Sequence, residues 1–102
     1  MITTQKITEI SKNISFIDVT NEEWELDNEK SKLSKQYELC VNDNDNEDYY
    51  FNITINIWRT NDEIDYTYIQ INSCFDKHSE PFSLTDKQSE VLIEGIEQSL
   101  IC

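Results

Sequence analysis

The residues best placed to do chemistry are the carboxylates in the polar run NDNDNED. Asp43, Asp45 and Glu47 alternate along this run, which is the spacing of the first three ligands of an EF-hand calcium loop. The rest of that loop is missing, because Asp48 stands where the sharp turn needs glycine and Thr54 where a bidentate glutamate should close the site. The run therefore predicts no calcium site, and we expect no metal or other cofactor.

Candidates for catalysis are few. The single histidine, His78, lies in the polar segment DKHSEPF, where we expect an exposed loop residue. The three cysteines, Cys40, Cys74 and Cys102, form no C-x-x-C pair, so we expect reduced thiols and neither a disulfide framework nor a zinc site. A single glycine excludes the glycine-rich loops that cradle phosphates. The sequence predicts a protein that is not an enzyme.

The charge balance is the strongest global signal. The chain has 102 residues, 21 acidic and 8 basic, with a net charge of −13. We expect one domain over residues 1–102. This charge disfavours binding to nucleic acid and to anionic membranes and favours a cationic protein partner. The alternative is that the carboxylates only keep a small domain soluble.

Because the N-terminal residues lack the apolar core of a signal peptide, we expect a cytoplasmic protein.

Two segments have helical periodicity. Ile7, Ile10, Ile14 and Ile17 recur at spacings of three and four, which predicts a helix that begins at Thr3 or Thr4 and ends near residue 13.

The second helix is predicted from residue 84 to the C-terminus. Thr85 and Gln88 fit a capping box. Gly95 is a poor helix former, and we expect it where this helix closely approaches the sheet. The helix carries two stripes. The apolar one comprises Leu92, Ile93, Ile96 and Leu100, and the acidic one Asp86, Glu90, Glu94 and Glu97.

Between the helices the chain alternates as strands do. Trp24 and Leu26 predict a short edge strand with both side chains on the core, and residues 27–36 read as a loop. Strands are predicted over 37–41, 49–58 and 64–73, with a polar turn before the second strand and the turn RTNDE before the third. The third strand alternates irregularly, which implies a bulge near Tyr68 or burial on both sides. Residues 16–19 could be an extended connection or a strand.

These elements predict an α+β fold with two layers. An antiparallel meander of three or four strands is flanked by an N-terminal and a C-terminal helix, in the order α-β-β-β-β-α. The helices should cover one sheet face. The other face would carry Tyr50, Asn52, Thr54, Asn56 and Trp58, as a binding surface or as an ordinary wet face.

The acidic residues between the helices concentrate in the turns, which a meander places at opposite ends of the sheet. Our first hypothesis is a non-catalytic inhibitor that mimics nucleic acid and blocks the cationic site of a nuclease or another nucleic-acid-binding protein. Phage anti-defence proteins and immunity proteins are similar in size and acidity, a resemblance of composition alone. The predicted partner-binding residues are Asp43, Asp45, Glu47, Asp48, Tyr50, Trp58, Asp62, Glu63 and Asp65.

The alternative hypothesis belongs to another class. A homodimeric chaperone or adaptor would hold a partner polypeptide through its sheet face or an edge strand. Bacterial secretion chaperones are likewise small, acidic and α+β. Here the carboxylates would serve solubility, and aromatic side chains would bind the partner.

Overall fold

A computed structural model describes residues 2–27, 29–61 and 63–101. It confirms the α+β fold, with two helices and a four-stranded antiparallel sheet. The elements in chain order are α1 (Thr4–Lys12), β1 (Ile17–Asp18), β2 (Glu25–Asp27), β3 (Lys30–Asn42), β4 (Asp48–Thr60), β5 (Glu63–Phe75), α2 (Asp86–Ser99) and β6 (Leu100–Ile101).

Helix α1 forms where its periodicity and capping residue predict it. The Thr3 hydroxyl accepts a hydrogen bond from the backbone N–H of Lys6 at 3.1 Å, which satisfies one free donor of the first turn. Asn13 ends the helix. Ile7 and Ile10 are fully buried and attach the helix to the core.

The sheet is a meander in the order β2-β3-β4-β5. Its three long strands have 13 residues each, about 44 Å at ~3.4 Å per residue. They therefore run the length of the molecule, which measures 46 × 21 × 20 Å. The predicted loop over residues 27–36 was wrong, because Lys30–Gln36 pairs with Thr60–Thr54. Leu33 is the only apolar residue in the segment 27–36. The first half of β3 therefore lacks the hydrophobic alternation by which a strand is predicted.

Strand β5 contains two bulges rather than one at Tyr68. The pairing shifts between Trp58 and Arg59 and again between Asn52 and Ile53, so Asp65 and Asn72 are the extra residues on β5. After each bulge, the side chains of β5 point to the opposite sheet face from the one that strict alternation predicts. This explains the irregular alternation of apolar residues along the strand.

Helix α2 begins with the predicted capping box of Thr85 and Gln88. The predicted continuation of this helix to the C-terminus was wrong, because the helix ends at Ser99 and Leu100–Ile101 form β6. Strand β6 pairs in parallel with β1, which makes residues 17 and 18 a short strand. Gly95 was predicted to approach the sheet, and this prediction was wrong. A Cβ built there would lie 2.8 Å from both the Cβ and the carbonyl oxygen of Ser11, so the close approach is to α1 and not to the sheet.

The core lies between the helices and one face of the sheet. Its largest fully buried side chains alternate along β4 and recur on both helices; they are Phe51, Ile53, Ile55, Ile57, Ile7, Ile10, Leu92 and Ile96.

The segment before β2 closes one end of the core in an unexpected way. Leu26 is 78% exposed, so its predicted burial was wrong. Trp24 is half-buried, donates its indole N–H to the Val19 carbonyl at 3.0 Å, and stacks under the Arg59 guanidinium at 3.7 Å. Because β2 pairs with β3 over only three residues, it is too short to extend the core beneath Leu26.

Candidate protein interaction surfaces

One face of the sheet is covered by the helices, and the other, the open face, is not. By strand register, the open face comprises Lys32, Ser34, Gln36, Glu38 and Cys40 on β3, Tyr50, Asn52, Thr54, Asn56 and Trp58 on β4, and Tyr66, Tyr68, Gln70, Ser73 and Phe75 on β5. Among these residues only Lys32 and Glu38 are charged, in a chain whose residues are 28% charged. The same register places three further charged residues, Lys30, Asp48 and Glu25 of β2, at the margins of this face. Aromatic, amide and hydroxyl side chains with little charge are typical of protein-binding surfaces.

The polar side chains of the open face are hydrogen-bonded to one another. This network crosses all three long strands and consumes donors and acceptors that water would otherwise satisfy. Its bonds run from Ser34 Oγ to Asn56 Oδ1 (2.7 Å), from Asn56 Nδ2 to the Tyr68 carbonyl (3.2 Å), from Asn72 Nδ2 to Thr54 Oγ1 (2.8 Å) and from Asn52 Nδ2 to Ser73 Oγ (2.8 Å).

The two ends of the open face differ in shape. At one end the rings of Trp58 and Tyr66 lie 5.3 Å apart, and Lys32 Nζ lies 5.3 Å from the Trp58 ring. Tyr66 is 56% exposed, so this end is an exposed aromatic patch.

At the other end, Glu38, Tyr50, Asn52, Phe75 and Ser79 line a shallow pocket of about 300 Å³. The charge of nearby Asp48 is the main cause that raises the pKa of the Tyr50 phenol. Tyr50 and Trp58, both predicted contact residues, therefore lie at opposite ends of one surface.

The acidic turn, residues 43–48, is built around a buried carboxylate. Asp43 is 3% exposed and accepts hydrogen bonds from the backbone N–H groups of Asp45 (2.8 Å) and Glu47 (2.9 Å) and from Lys6 Nζ (3.0 Å). Burial alone would raise the pKa of this carboxyl, but the hydrogen bonds from Glu47, Lys6 and Asp45 outweigh it and lower the pKa. Asp43 therefore shapes the turn.

The remaining carboxylates of the acidic turn are partly compensated. Asp45 lies 3.3 Å from Lys6, although its side chain is 74% exposed, and Glu47 lies 2.8 Å from Lys77. Asp48 accepts a hydrogen bond from Asn42 Nδ2 at 2.6 Å. Both lysines are 30 or more residues away in sequence, so the local pattern gave no signal of these ion pairs.

The second predicted acidic group lies at the opposite end of the sheet. Glu63 and Asp65 are exposed there, and Asp65 accepts a hydrogen bond from the Thr60 hydroxyl. Asp62 lies outside the described residues. The length of β4 separates the two groups by about 40 Å, so the structure does not join them into one site.

A third group of carboxylates lies on α2. Asp86, Glu90, Glu94 and Glu97 form an exposed stripe on the side of the molecule opposite the open face, as the helical period predicted. No basic residue lies in the last turn of α2. Negative charge near a helix C-terminus interacts unfavourably with the helix dipole. The positions of Glu94 and Glu97 therefore do not stabilise α2. The predicted partner-binding residues do not include this stripe, although its spacing was visible in the sequence.

The residues considered for chemistry differ in their surroundings. His78 is exposed, and its backbone N–H donates to Asp76 at 2.9 Å within a turn. Cys40 is exposed on the open face, whereas Cys74 is buried, which raises the pKa of its thiol to about 11. Within residues 2–27, 29–61 and 63–101, no three His, Cys, Asp or Glu side chains are grouped to hold a metal ion.

In the same ranges, no helix is long and apolar enough to cross a bilayer. No family model, curated protein or solved structure matches the chain at a significant level.

Proposed function

We propose that this protein is a non-catalytic antagonist that occupies the cationic site of a nucleic-acid-handling protein, in the manner of anti-defence and immunity proteins. The observation that carries this proposal is the linear density of charge. A net charge of −13 over a 46 Å long axis is one charge per about 3.5 Å. One strand of a DNA duplex carries one phosphate per ~3.4 Å.

Much of this charge is available to a partner. Within the described part of the chain, ion pairs engage five carboxylates, with Lys6, Lys35 and Lys77 as their partners. The α2 stripe makes none of these pairs. Its members are separated by three or four residues, or about 5–6 Å of helix rise, which gives a regular row of negative charge. We set this function in the cytoplasm, where the three thiols would stay reduced.

A second candidate function rests on a different observation. The open face is nearly uncharged and rich in tyrosine, so it is suited to hold a polypeptide in the manner of a chaperone or adaptor. In that case binding would depend on the open face and would resist salt, whereas binding through carboxylates weakens as salt rises.

The test is capture of partners from host lysate by tagged protein, with elution by a salt gradient. Each captured protein is then tested for its binding to a labelled DNA duplex in the presence and absence of this protein. We expect nucleic-acid-binding proteins that elute with salt and lose the duplex when this protein is added. Capture of proteins that salt does not release would contradict the antagonist and support the adaptor.

A matched pair of variants locates the binding charges. Glu94→Gln and Glu97→Gln together remove two exposed carboxylates of the α2 stripe. The control combines Glu9→Gln with Glu22→Gln, which removes two lysine-paired carboxylates outside the predicted contact residues and changes the net charge equally.

We expect the stripe variant to weaken partner binding more than the control and to reduce the salt slope by more. Equal losses in the two variants would mean that only the total charge matters, and the stripe would not be a contact surface.

A further inference from the structure

We propose that the open face is the interface of a two-fold symmetric homodimer, formed when two copies pack sheet against sheet. This inference is independent of the proposed antagonist function, because it uses the side of the molecule opposite the α2 stripe. The second copy is the occupant that the charge distribution favours. Glu38 is the one carboxylate in the centre of this face, with Glu25 and Asp48 at its margins, and the lysines Lys32 and Lys30 lie on the same face.

Electrostatic repulsion is weakest at this face. Two molecules of charge −13 repel each other strongly if their acidic sides meet. When the open faces meet, the α2 stripes lie on the outer sides of both copies. Each stripe is then separated from the other by two sheets and two helix layers, a distance several times the Debye length of ~8 Å at physiological salt.

The two charges of the open face are arranged to complement a second copy. Lys32 and Glu38 have opposite signs and lie three residues on either side of Lys35. A two-fold axis that crosses the strands at the level of Lys35 places Lys32 of each copy over Glu38 of the other. An interface of this kind is isologous, so the pair forms twice.

The same axis also matches the shapes of the two ends. The row of Lys32, Trp58 and Tyr66 on one copy faces the row of Glu38, Asn52 and Ser73 on the other. Glu38 and Asn52 line the shallow pocket, so the exposed aromatic patch of each copy faces the pocket of the other. Buried aromatic side chains that fill pockets are typical anchors of protein interfaces.

The cost of removing water from the open face is reduced by its own hydrogen bonds. Burial of an amide or hydroxyl group is costly mainly when the group is left without a partner. Asn52, Asn56 and Thr54 already have partners within the face. The Asn52 amide nitrogen, the Asn56 amide and the Thr54 hydroxyl can therefore keep these partners when the face packs against a second sheet.

The size of the face sets the expected affinity. Nine residues of each long strand at ~3.4 Å, across three strands spaced by ~4.8 Å, cover about 400 Å² in projection per copy. This is a small interface, and we expect a dissociation constant in the range of about 1–100 μM. The dimer would dominate only in concentrated samples.

The test is sedimentation equilibrium of the purified protein over a concentration series, with charge-reversal variants of the two facing residues. We expect the native protein to dimerise. Glu38→Lys and Lys32→Glu should each weaken the dimer by at least about tenfold, because each places like charges opposite each other. The double variant carries both changes, so opposite charges again face each other with their positions exchanged. We expect it to dimerise like the native protein.

The controls make the same changes of charge on α2. Glu90→Lys and Lys87→Glu lie on exposed positions of the helix side, and we expect neither to weaken the dimer tenfold. Thermal unfolding confirms that each variant is folded. A native protein that stays monomeric at about 1 mM would overturn the proposal, as would a folded double variant that remains as monomeric as the single ones.

Discussion

Replacement of Gly95 by alanine tests the closest contact between the two helices. The change should add about 1 kcal/mol of helix propensity. The new Cβ, however, would lie 2.8 Å from the Cβ and the carbonyl oxygen of Ser11, about 0.6 Å inside an ordinary contact of 3.4 Å. Neither atom is the end of a flexible side chain, so the helices must separate. We take this cost from the upper part of the ~1–3 kcal/mol range for overpacking.

The expected net effect of Gly95→Ala is a loss of about 1–2 kcal/mol in the free energy of unfolding. For a domain of this size that lowers Tm by roughly 4–15 °C. The assay is thermal unfolding followed by circular dichroism at a low, fixed protein concentration. Gln98→Ala, at an exposed position of the same helix, is the control, and its effect should stay within about 0.5 kcal/mol. A Gly95→Ala protein as stable as the native one would refute the close approach of the helices.

Three further predictions concern the acidic turn, the helix cap and the thiols. Because the pKa of Asp43 is lowered below 3.8 by folding, its contribution to stability is present above that value and is lost as pH falls through the folded pKa. Asp43→Asn should therefore lower Tm at pH 7 and have a smaller effect as pH falls through the folded pKa, and an effect that does not decrease at acidic pH would contradict the buried ionised carboxylate. Thr85→Ala removes one side of the capping box and should cost about 1 kcal/mol in urea unfolding; an unchanged midpoint would show that the cap is unimportant. In a Cys102→Ser background, Cys40 should react with a thiol reagent in the native protein. Cys74 should react only after unfolding, because it is buried and a pKa of about 11 leaves roughly one thiolate in ten thousand at pH 7; rapid labelling of both thiols would refute its burial.

The helices and the central strand could be predicted from the sequence because their signals are local. The spacing of Ile7 and Ile10, the cap at Thr3 and the capping box at Thr85 are all contained within one or two turns of helix. The alternation of β4 is unbroken from Phe51 to Ile57 because one face of the strand is buried over this stretch. These signals were enough to fix the fold class.

The errors in the fold arose where local pattern and pairing disagree. The first half of β3 has one buried apolar side chain, Leu33, and is a strand because β4 supplies its hydrogen-bonding partners. The bulges at Asp65 and Asn72 depend on how β5 aligns with β4. Gly95 marks a close approach, as expected, but only the packing of the helices shows that Ser11 is its neighbour.

The candidate surfaces show the same division. The sequence correctly indicated that Tyr50, Asn52, Thr54, Asn56 and Trp58 share one sheet face. It did not show that the neighbouring strands leave the centre of that face with only two charged residues, Lys32 and Glu38. For the acidic turn, the positions of the carboxylates follow from the sequence, but their pairing with Lys6 and Lys77 does not. The partner-binding roles of these residues remain predictions.

By itself, the sequence determined the periodicity of each element, the caps of both helices, the α+β class and the large negative charge. These properties depend on residue types and on spacings of a few positions, so no distant contact can change them. The tertiary structure decided which carboxylates are paired, which sheet face stays open, and how the remaining charge lies along a 46 Å molecule. Such properties depend on residues 30 or more positions apart, which only the folded chain brings within a few ångströms.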